Sequence, residues 1–423
     1  MAKASQKKVQ IVSEEKLPII TPTIIPDEST KDATQFRIYV GSYEHNLLCV
    51  SLNLPNDRSK TPVFQPIFHF QAHALSIKSI CAAKRYLVTG ANDEHIRIYD
   101  LQKRKELGNL MGHQGSITSL RFSSEHDGEG EEISKAGKWL LSGSEDGKII
   151  IWRSKDWEIF GTLKGHVGRV NDIAIHPSGR IAVSVGVDKS VRLWNLMTAK
   201  KAANLKVKNE WQAGEFVRWS HDGSYFYVGL LNKVLVYKTA AAKDIRELVF
   251  KAKTLMHIET VVIGGVEYLA CGLSNGAIEF YKLHEELLAK EEGFEPDFTL
   301  HGHTNRIKDF KTFKTGADDL LLVSISSDGN IIVWDLNAKD QVAVYNTGER
   351  LNCVEVTDEA VEKMETMKKR TADEMEGDVS ESENEDTEEL KRIMEDRDSR
   401  RKKKKKGGKK KNAGKEKVSV SLE

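Results

Sequence analysis

The sequence contains little cysteine and no long apolar run. Its 423 residues include four cysteines, and no two of them form a Cys-x-x-Cys pair. This usage excludes a disulfide framework and indicates buried free thiols in a reducing compartment. No run approaches the ~18–20 apolar residues that a membrane span requires, and the start, "MAKASQKKVQIVSEEK", lacks the apolar core of a signal peptide. We therefore expect an intracellular, soluble protein. The cysteines are Cys49, Cys81, Cys271 and Cys353.

The sequence also lacks the motifs that hold nucleotides or metals. No G-x-x-x-x-G-K-[ST] or G-x-G-x-x-G motif follows a strand-like run, and the histidines are too dispersed for the usual close zinc ligands. We expect no cofactor, no metal and no small-molecule substrate. The net charge is +1, with 64 Lys and Arg against 63 Asp and Glu, so the whole chain has no field that indicates a partner.

What the sequence does contain is an internal repeat. Four strand-like runs end in an aromatic residue, an Asp stands six residues before it, and a Ser or Thr stands four residues before the Asp. A His lies further upstream and follows Gly in three copies and Ala in one. The four sets are His73, Thr89, Asp93 and Tyr99; His113, Ser142, Asp146 and Trp152; His166, Ser184, Asp188 and Trp194; and His303, Ser324, Asp328 and Trp334.

Three weaker copies bring the number of units to seven. The first has Glu44 in the acid position, and the second keeps only Tyr237 in the aromatic position. The third has Asn275 in the acid position and Tyr281 in the aromatic position. Each unit reads as four short strands with Gly, Asp and Asn turns, which predicts seven antiparallel sheets. The first unit lacks an inner strand, and "GERLNCVEV" (Gly348–Val356) could supply it. Pairing of that segment with the first sheet would close a ring and remove two exposed sheet edges.

These residues resemble the WD40 family through Gly-His, Ser or Thr, Asp, and Trp at the strand end. The resemblance covers 36–357 and implies an all-β, seven-bladed β-propeller closed by its C-terminal strand. It also implies that each set is a structural tetrad, in which Asp holds His, His bonds the hydroxyl, and the hydroxyl bonds the Trp N–H. A Ser/His/Asp catalytic triad is the alternative, but an enzyme has no use for four copies at the same offsets. We therefore expect no enzyme activity.

A narrower resemblance is carried by "IHPSGRIAVSVGVDKSVRLWNL" and "SSDGNIIVWDL". These stretches are similar to the maintenance-of-killer and PAK-kinase-interacting family of WD-repeat proteins, whose members act in assembly of the large (60S) ribosomal subunit. The resemblance implies a scaffold in the nucleus and nucleolus that binds ribosome assembly factors and the pre-60S particle, as a monomer within a large complex and away from membranes. One alternative is a signalling adaptor that binds a PAK-type protein kinase. A cullin-ligase receptor would need a Trp-Asp-x-Arg strand end, and no unit has one.

A candidate partner-binding rim follows from the repeat. The third residue after each tetrad His precedes an inner strand and should ring the mouth of the central channel. Three arginines fall at such positions, and Arg suits carboxylate and phosphate recognition. The alternative is that each Arg pairs with a nearby acid such as Asp172 or Asp309 and is structural. The predicted rim residues are Ser76, Ser116, Arg169, Arg306, Glu215, His257 and Arg350, with Trp211 as a separate anchor.

Both ends of the chain lie outside the repeats. We expect an N-terminal extension at 1–35, a short helix at 358–370, an acidic disordered segment at 371–390 and a basic disordered tail at 391–423, because like-charge runs cannot bury enough surface. Ser380 and Ser382 are candidate phosphorylation sites among carboxylates. The basic run predicts a nuclear or nucleolar signal and contact with the pre-ribosomal RNA backbone, unless it is a generic solubilising tail. Its residues are Arg400, Arg401, Lys402, Lys403, Lys404, Lys405, Lys406, Lys409, Lys410 and Lys411.

Overall fold

The computed structural model describes residues 33–55, 60–123, 137–207, 212–241, 243–283, 295–315 and 319–359. The regular structure of this part is β, and its strands form seven antiparallel sheets of four strands each. Each sheet is called a blade and is numbered by its order around the ring. The predicted all-β, seven-bladed propeller is confirmed.

Strands follow each other in chain order within six of the blades. Blade 2 holds β4 (Ile77–Ala83), β5 (Tyr86–Ala91), β6 (Ile96–Asp100) and β7 (Lys105–Leu110); blade 3 holds β8 (Ile117–Phe122), β9 (Trp139–Ser144), β10 (Lys148–Arg153) and β11 (Glu158–Lys164); blade 4 holds β12 (Val170–Ile175), β13 (Ile181–Gly186), β14 (Ser190–Asn195) and β15 (Lys200–Lys206). Blade 5 holds β16 (Phe216–Trp219), β17 (Tyr225–Gly229), β18 (Lys233–Lys238) and β19 (Lys243–Val249); blade 6 holds β20 (Leu255–Ile263), β21 (Val266–Leu273), β22 (Ala277–Lys282) and β23 (Phe298–His301); blade 7 holds β24 (Ile307–Lys314), β25 (Leu320–Ser326), β26 (Asn330–Asp335) and β27 (Asp340–Asn346).

Blade 1 joins the two ends of the described chain. It holds β1 (Ala33–Ser42), β2 (Asn46–Pro55), β3 (Val63–Gln71) and, as its innermost strand, β28 (Leu351–Asp358). Strand β28 pairs antiparallel with β1, with Val354 opposite Val40. This confirms the predicted closure. The pairing also corrects two boundaries, because β1 begins three residues before the expected start at 36 and Asp358, opposite Phe36, belongs to a strand rather than to a helix.

The hydrophobic core is divided among the seven interfaces between neighbouring blades. Each innermost strand packs beside the next, from β4 through β8, β12, β16, β20, β24 and β28 back to β4. Behind these strands lie seven buried clusters, and each draws its side chains from two adjacent blades. Cohesion between blades is therefore hydrophobic burial, and no blade has a complete core alone. All four cysteines are free and buried, as expected.

The turn after each tetrad Asp explains why Gly recurs there. Gly147 and Gly329 have φ values of 75° and 83°, and Lys189 adopts 56° at the same place in blade 4. A Cβ on Gly147 would lie 2.9 Å from the carbonyl oxygens of His166 and Gly168. The turn therefore needs a left-handed residue, and at Gly147 it also needs one without a side chain.

Candidate functional site

The structure brings each predicted set of His, hydroxyl, Asp and aromatic residue together within one blade. The His Nδ1 lies 3.0–3.3 Å from the Asp carboxylate, and the His Nε2 lies 2.7–2.8 Å from the hydroxyl oxygen. In three blades the Trp Nε1–H donates to the same Ser Oγ at 2.7–2.8 Å. These three networks are His113, Ser142, Asp146 and Trp152; His166, Ser184, Asp188 and Trp194; and His303, Ser324, Asp328 and Trp334. In blade 2 His73 links Asp93 and Thr89.

Electrostatics hold the tetrads in one protonation state. Burial lowers the pKa of all four histidines, so each imidazole is neutral, donates from Nδ1 to the carboxylate and accepts the hydroxyl proton at Nε2. Burial alone would raise the pKa of Asp188, but hydrogen bonds from His166, Ser190 and the Val167 amide lower it to about 2. The carboxylate therefore remains ionised and the network fully satisfied.

The tetrads are closed to substrates. Ser142, Ser184 and Ser324 are 0% exposed, and each hydroxyl already contacts both a His and a Trp. A nucleophile must be reachable from a pocket, which these are not. Each tetrad instead ties the loop that carries the His, the turn that carries the Asp, and two strands of its blade to one another.

The three predicted rim arginines are all exposed, and none pairs with the acid that the structural alternative named. Arg169 donates to Asn171 at 2.8 Å and lies 3.8 Å from the Glu215 carboxylate. Arg306 donates to the Ser327 hydroxyl at 3.3 Å. The Arg350 guanidinium lies 5.1 Å from the ring centroid of Tyr43. The structure thus leaves these guanidinium groups accessible at the mouth of the channel.

Asp172 belongs instead to an ion-pair network inside the channel. Arg218, which is 5% exposed, contacts Asp172 at 2.5 Å and Glu259 at 3.0 Å. Lys311 lies 3.5 Å from Glu259, and Arg121 lies 3.8 Å from Asp172. Charges from five blades are therefore joined across the channel, where each buried ion has an oppositely charged partner.

The surrounding charges keep this channel network ionised. Burial would raise the pKa of Glu259, but the nearby Lys311 and Arg218 hold it well below its usual range. Burial would lower the pKa of Arg218, but Asp172 and Glu259 raise it. The sequence reasoning missed this network, although its signal was present as charged residues in the otherwise apolar inner strands.

His257 does not lie at the predicted rim position. It is buried within β20 opposite Gly272 and contacts Asp309 at 3.1 Å. The rim position of blade 6 is Thr254, whose carbonyl accepts from Ser274 as that of Arg169 accepts from Val187. In blades 2, 3, 4 and 7 the rim position is counted from the tetrad His. Blade 6 lacks this His, which explains why the predicted rim residue lies three positions too far along the chain.

Several other predicted residues have different positions or fall outside the described part of the chain. Ser76 is buried rather than exposed on the rim, and its backbone carbonyl accepts from Asn92. Trp211, the phosphorylation candidates Ser380 and Ser382, the helix expected after Asp358, and the basic run Arg400–Lys411 lie outside the described residues.

In the described ranges, no group of three or more His, Cys, Asp or Glu side chains is arranged to hold a metal ion. Nor does that part of the chain contain a helix of the length and apolarity needed to cross a bilayer.

Comparison with known proteins adds a family assignment to this geometry. A family model described as "WD domain, G-beta repeat" matches residues 64–100, 104–153, 157–195 and 294–335. Each match starts in or a few residues before the outermost strand of one blade and ends with the third strand of the next, and the four matched units are those with tetrads. The sequence repeat is therefore offset from the blade by one strand, which links neighbouring blades covalently.

Three curated relatives extend the match over most of the chain. Protein MAK11 of Saccharomyces cerevisiae is 55% identical over 387 residues, which are 86% of this chain and 93% of that protein. The p21-activated protein kinase-interacting protein 1-like of Gallus gallus is 34% identical over 298 residues, 69% of this chain and 73% of that protein. Shk1 kinase-binding protein 15 of Schizosaccharomyces pombe is 24% identical over 334 residues, 75% of this chain and 83% of that protein. The chain belongs to the WD-repeat family that includes MAK11 and the p21-activated protein kinase-interacting proteins.

Proposed function

We propose that this protein is a non-catalytic scaffold in nucleolar assembly of the large ribosomal subunit. The observation that carries the proposal is the match to MAK11 over 93% of that protein's length, because the family resemblance implies this role. The buried, satisfied tetrads support the non-catalytic part, since they leave no accessible nucleophile. A ring held together by seven hydrophobic interfaces offers rigid faces on which assembly factors can be positioned relative to each other.

The rim arginines are the proposed contacts for those assembly factors. Arg169 and Arg306 are exposed at one mouth of the channel, where their planar guanidinium groups can bind carboxylates of a partner. The outermost strands and the opposite face remain open to other partners. The basic run at Arg400–Lys411 would add loose attachment to the RNA backbone by counterion release, without base preference.

The rim is tested by reversing two charges. We expect Arg169→Glu combined with Arg306→Glu to reduce recovery of assembly factors in affinity purification, because the reversed charges repel the same carboxylates. The matched control is Lys103→Glu combined with Lys238→Glu, two exposed lysines on turns and strand ends away from this mouth. Thermal denaturation of both variants shows whether the fold is kept. Unchanged recovery of assembly factors by a folded Arg169/Arg306 variant would reject the rim as their binding surface.

A second candidate function is that of an adaptor for a PAK-type protein kinase. It is favoured by the printed names of two relatives, one a p21-activated protein kinase-interacting protein and the other an Shk1 kinase-binding protein. Localisation separates the two. The scaffold proposal expects nucleolar protein that leaves the nucleolus when 391–417 is deleted, whereas cytoplasmic protein both before and after the deletion favours the adaptor.

A further inference from the structure

Four cations meet at the channel mouth where blades 7, 1 and 2 adjoin. Lys308 stands at the start of β24, and Arg306 precedes that strand. Arg350 precedes β28, and Lys78 is the second residue of β4. Burial, together with the charges of Arg306, Lys78 and Arg350, lowers the pKa of Lys308 to about 8. All three therefore act on one ammonium group. We call Lys78, Arg306, Lys308 and Arg350 the cationic mouth.

Within the described residues, no side chain of the cationic mouth forms an ion pair, although the Glu44 carboxylate accepts the Arg350 backbone amide at 3.2 Å. Arg306 bonds a hydroxyl and Arg350 stacks on Tyr43, as described above. Asp309 is next to Lys308 in sequence, but its Oδ1 lies 3.1 Å from His257 and its Oδ2 accepts the Val354 amide at 3.0 Å. Arg169 across the channel differs, because Glu215 lies close to it. Among the described residues, the four side chains of the cationic mouth thus form no ion pair, whereas Arg169 on the other side of the mouth does.

Below these cations the channel narrows to a polar recess. A cavity of about 130 Å³ is lined by Lys78, Lys308 and Asn352 together with the channel residues Asp172 and Arg218. The floor is already neutralised by its own ion pairs, so it offers no net attraction to a second charged group. An anion is therefore attracted to the upper level, and the recess has room for little more than a single side chain.

We propose that the cationic mouth docks an acidic, Asp- and Glu-rich segment of a partner protein, with one carboxylate seated against Lys308. This inference rests on the proposed function in that it names the chemistry of a partner for the same rim. A protein segment fits better than RNA because the cations converge on one recess instead of following a stripe that could track successive phosphates. The two flanking guanidinium groups suit bidentate contacts with carboxylates on either side of the seated one.

Binding of a short fluorescein-labelled peptide of Asp, Glu and Gly to the purified full chain tests this, with fluorescence anisotropy as the readout. We expect the acidic peptide to bind, its Asn/Gln counterpart not to bind, and Lys308→Gln combined with Arg350→Gln to weaken binding by about tenfold or more. Lys103→Gln, at an exposed turn lysine away from this mouth, is the matched control and should change affinity little. Circular dichroism melts establish that each variant folds.

Four outcomes would overturn the proposal. One is failure of the folded wild-type chain to bind the acidic peptide. A second is equal binding by the Lys308/Arg350 variant and the wild type. A third is displacement of the peptide by single-stranded RNA whose binding is weakened by the same substitutions, because this would show that the mouth binds nucleic acid. The last is peptide binding only after the carboxylates of 371–390 are changed to amides, which would make the chain's own segment the occupant. None of these measurements uses ribosomal particles. Failure of the acidic peptide to bind would therefore leave the scaffold proposal intact, and failure of the scaffold proposal would leave a measured peptide affinity intact.

Discussion

At the scale of single residues, Asp188 should contribute more to the stability of its blade than its partial exposure suggests. It accepts hydrogen bonds from His166, the Val167 amide, Ser190 and Arg192. Asp188→Ala removes the acceptor of the His166 Nδ1–H and should lower the free energy of unfolding by about 1–3 kcal/mol. Urea denaturation measures this. Asp156→Ala, at an exposed Asp bonded to Arg153 on the surface, is the control and should leave the midpoint unchanged. Equal losses in the two variants would contradict the account.

Arg218 is the cation on which the channel network depends. Arg218→Met would leave Asp172 and Glu259 buried without their closest cation and should cost about 3–5 kcal/mol. Adding Asp172→Asn removes one of the stranded charges, so the double variant should be more stable than the single one. Chemical denaturation of the wild type, Arg218→Met, Asp172→Asn and the double variant completes the cycle. Independent, additive losses would show that the pair is not coupled.

The tetrads could be predicted residue by residue from the sequence, whereas the channel network could not. The offsets of the hydroxyl, Asp and aromatic residue are fixed by strand and turn lengths, so four copies at the same spacing reveal these members, and the WD40 resemblance implies their contacts with the His. Arg218, Glu259 and Lys311 lie on three different blades and share no local spacing. Their pairing depends on closure of the ring, which brings together residues far apart in the chain. The sequence shows charged residues in the inner strands, but not which of them pair.

At the scale of elements, strand β28 is the one whose loss should matter most. It supplies Leu351 and Val354 to the core between blades 7 and 1, and Cys353 to the core between blades 1 and 2. A chain ending at Thr347 keeps β27 but opens the ring and exposes the edge of β1. We expect a large drop in the melting temperature of the whole domain, which differential scanning calorimetry measures. A chain ending at Glu362 is the control. An unchanged melting temperature for the shorter chain would refute closure by β28.

The elements themselves were predictable even where the tetrads fail. Blades 5 and 6 were identified from strand-like runs between turns, and both form four-stranded sheets. Position along a strand is less secure in these blades, as His257 shows, because they lack the tetrad His that fixes the position of the inner strand in blades 2, 3, 4 and 7. Alternation places a strand in a sheet, but only an anchor such as the tetrad His fixes which residue reaches the rim.

At the scale of the whole molecule, the tetrads predict a common sensitivity to acid. Burial lowers the pKa of His73, His113, His166 and His303 in the folded state, so below about pH 6.5 the unfolded chain binds more protons than the folded chain. Stability should therefore fall as pH drops from about 7 to 5, before most carboxylates titrate. Melting temperatures across this range at constant ionic strength test it. A melting temperature that stayed constant or rose would contradict neutral, buried histidines.

The central claim is that the whole ring serves as a scaffold in large-subunit assembly. The most direct measurement is affinity purification of the tagged full chain followed by sedimentation of the cell extract on a density gradient. The account predicts that the protein co-sediments with large-subunit precursors and is recovered with assembly factors. A protein found only in the light fractions, with no precursor RNA or assembly factors bound, would contradict it.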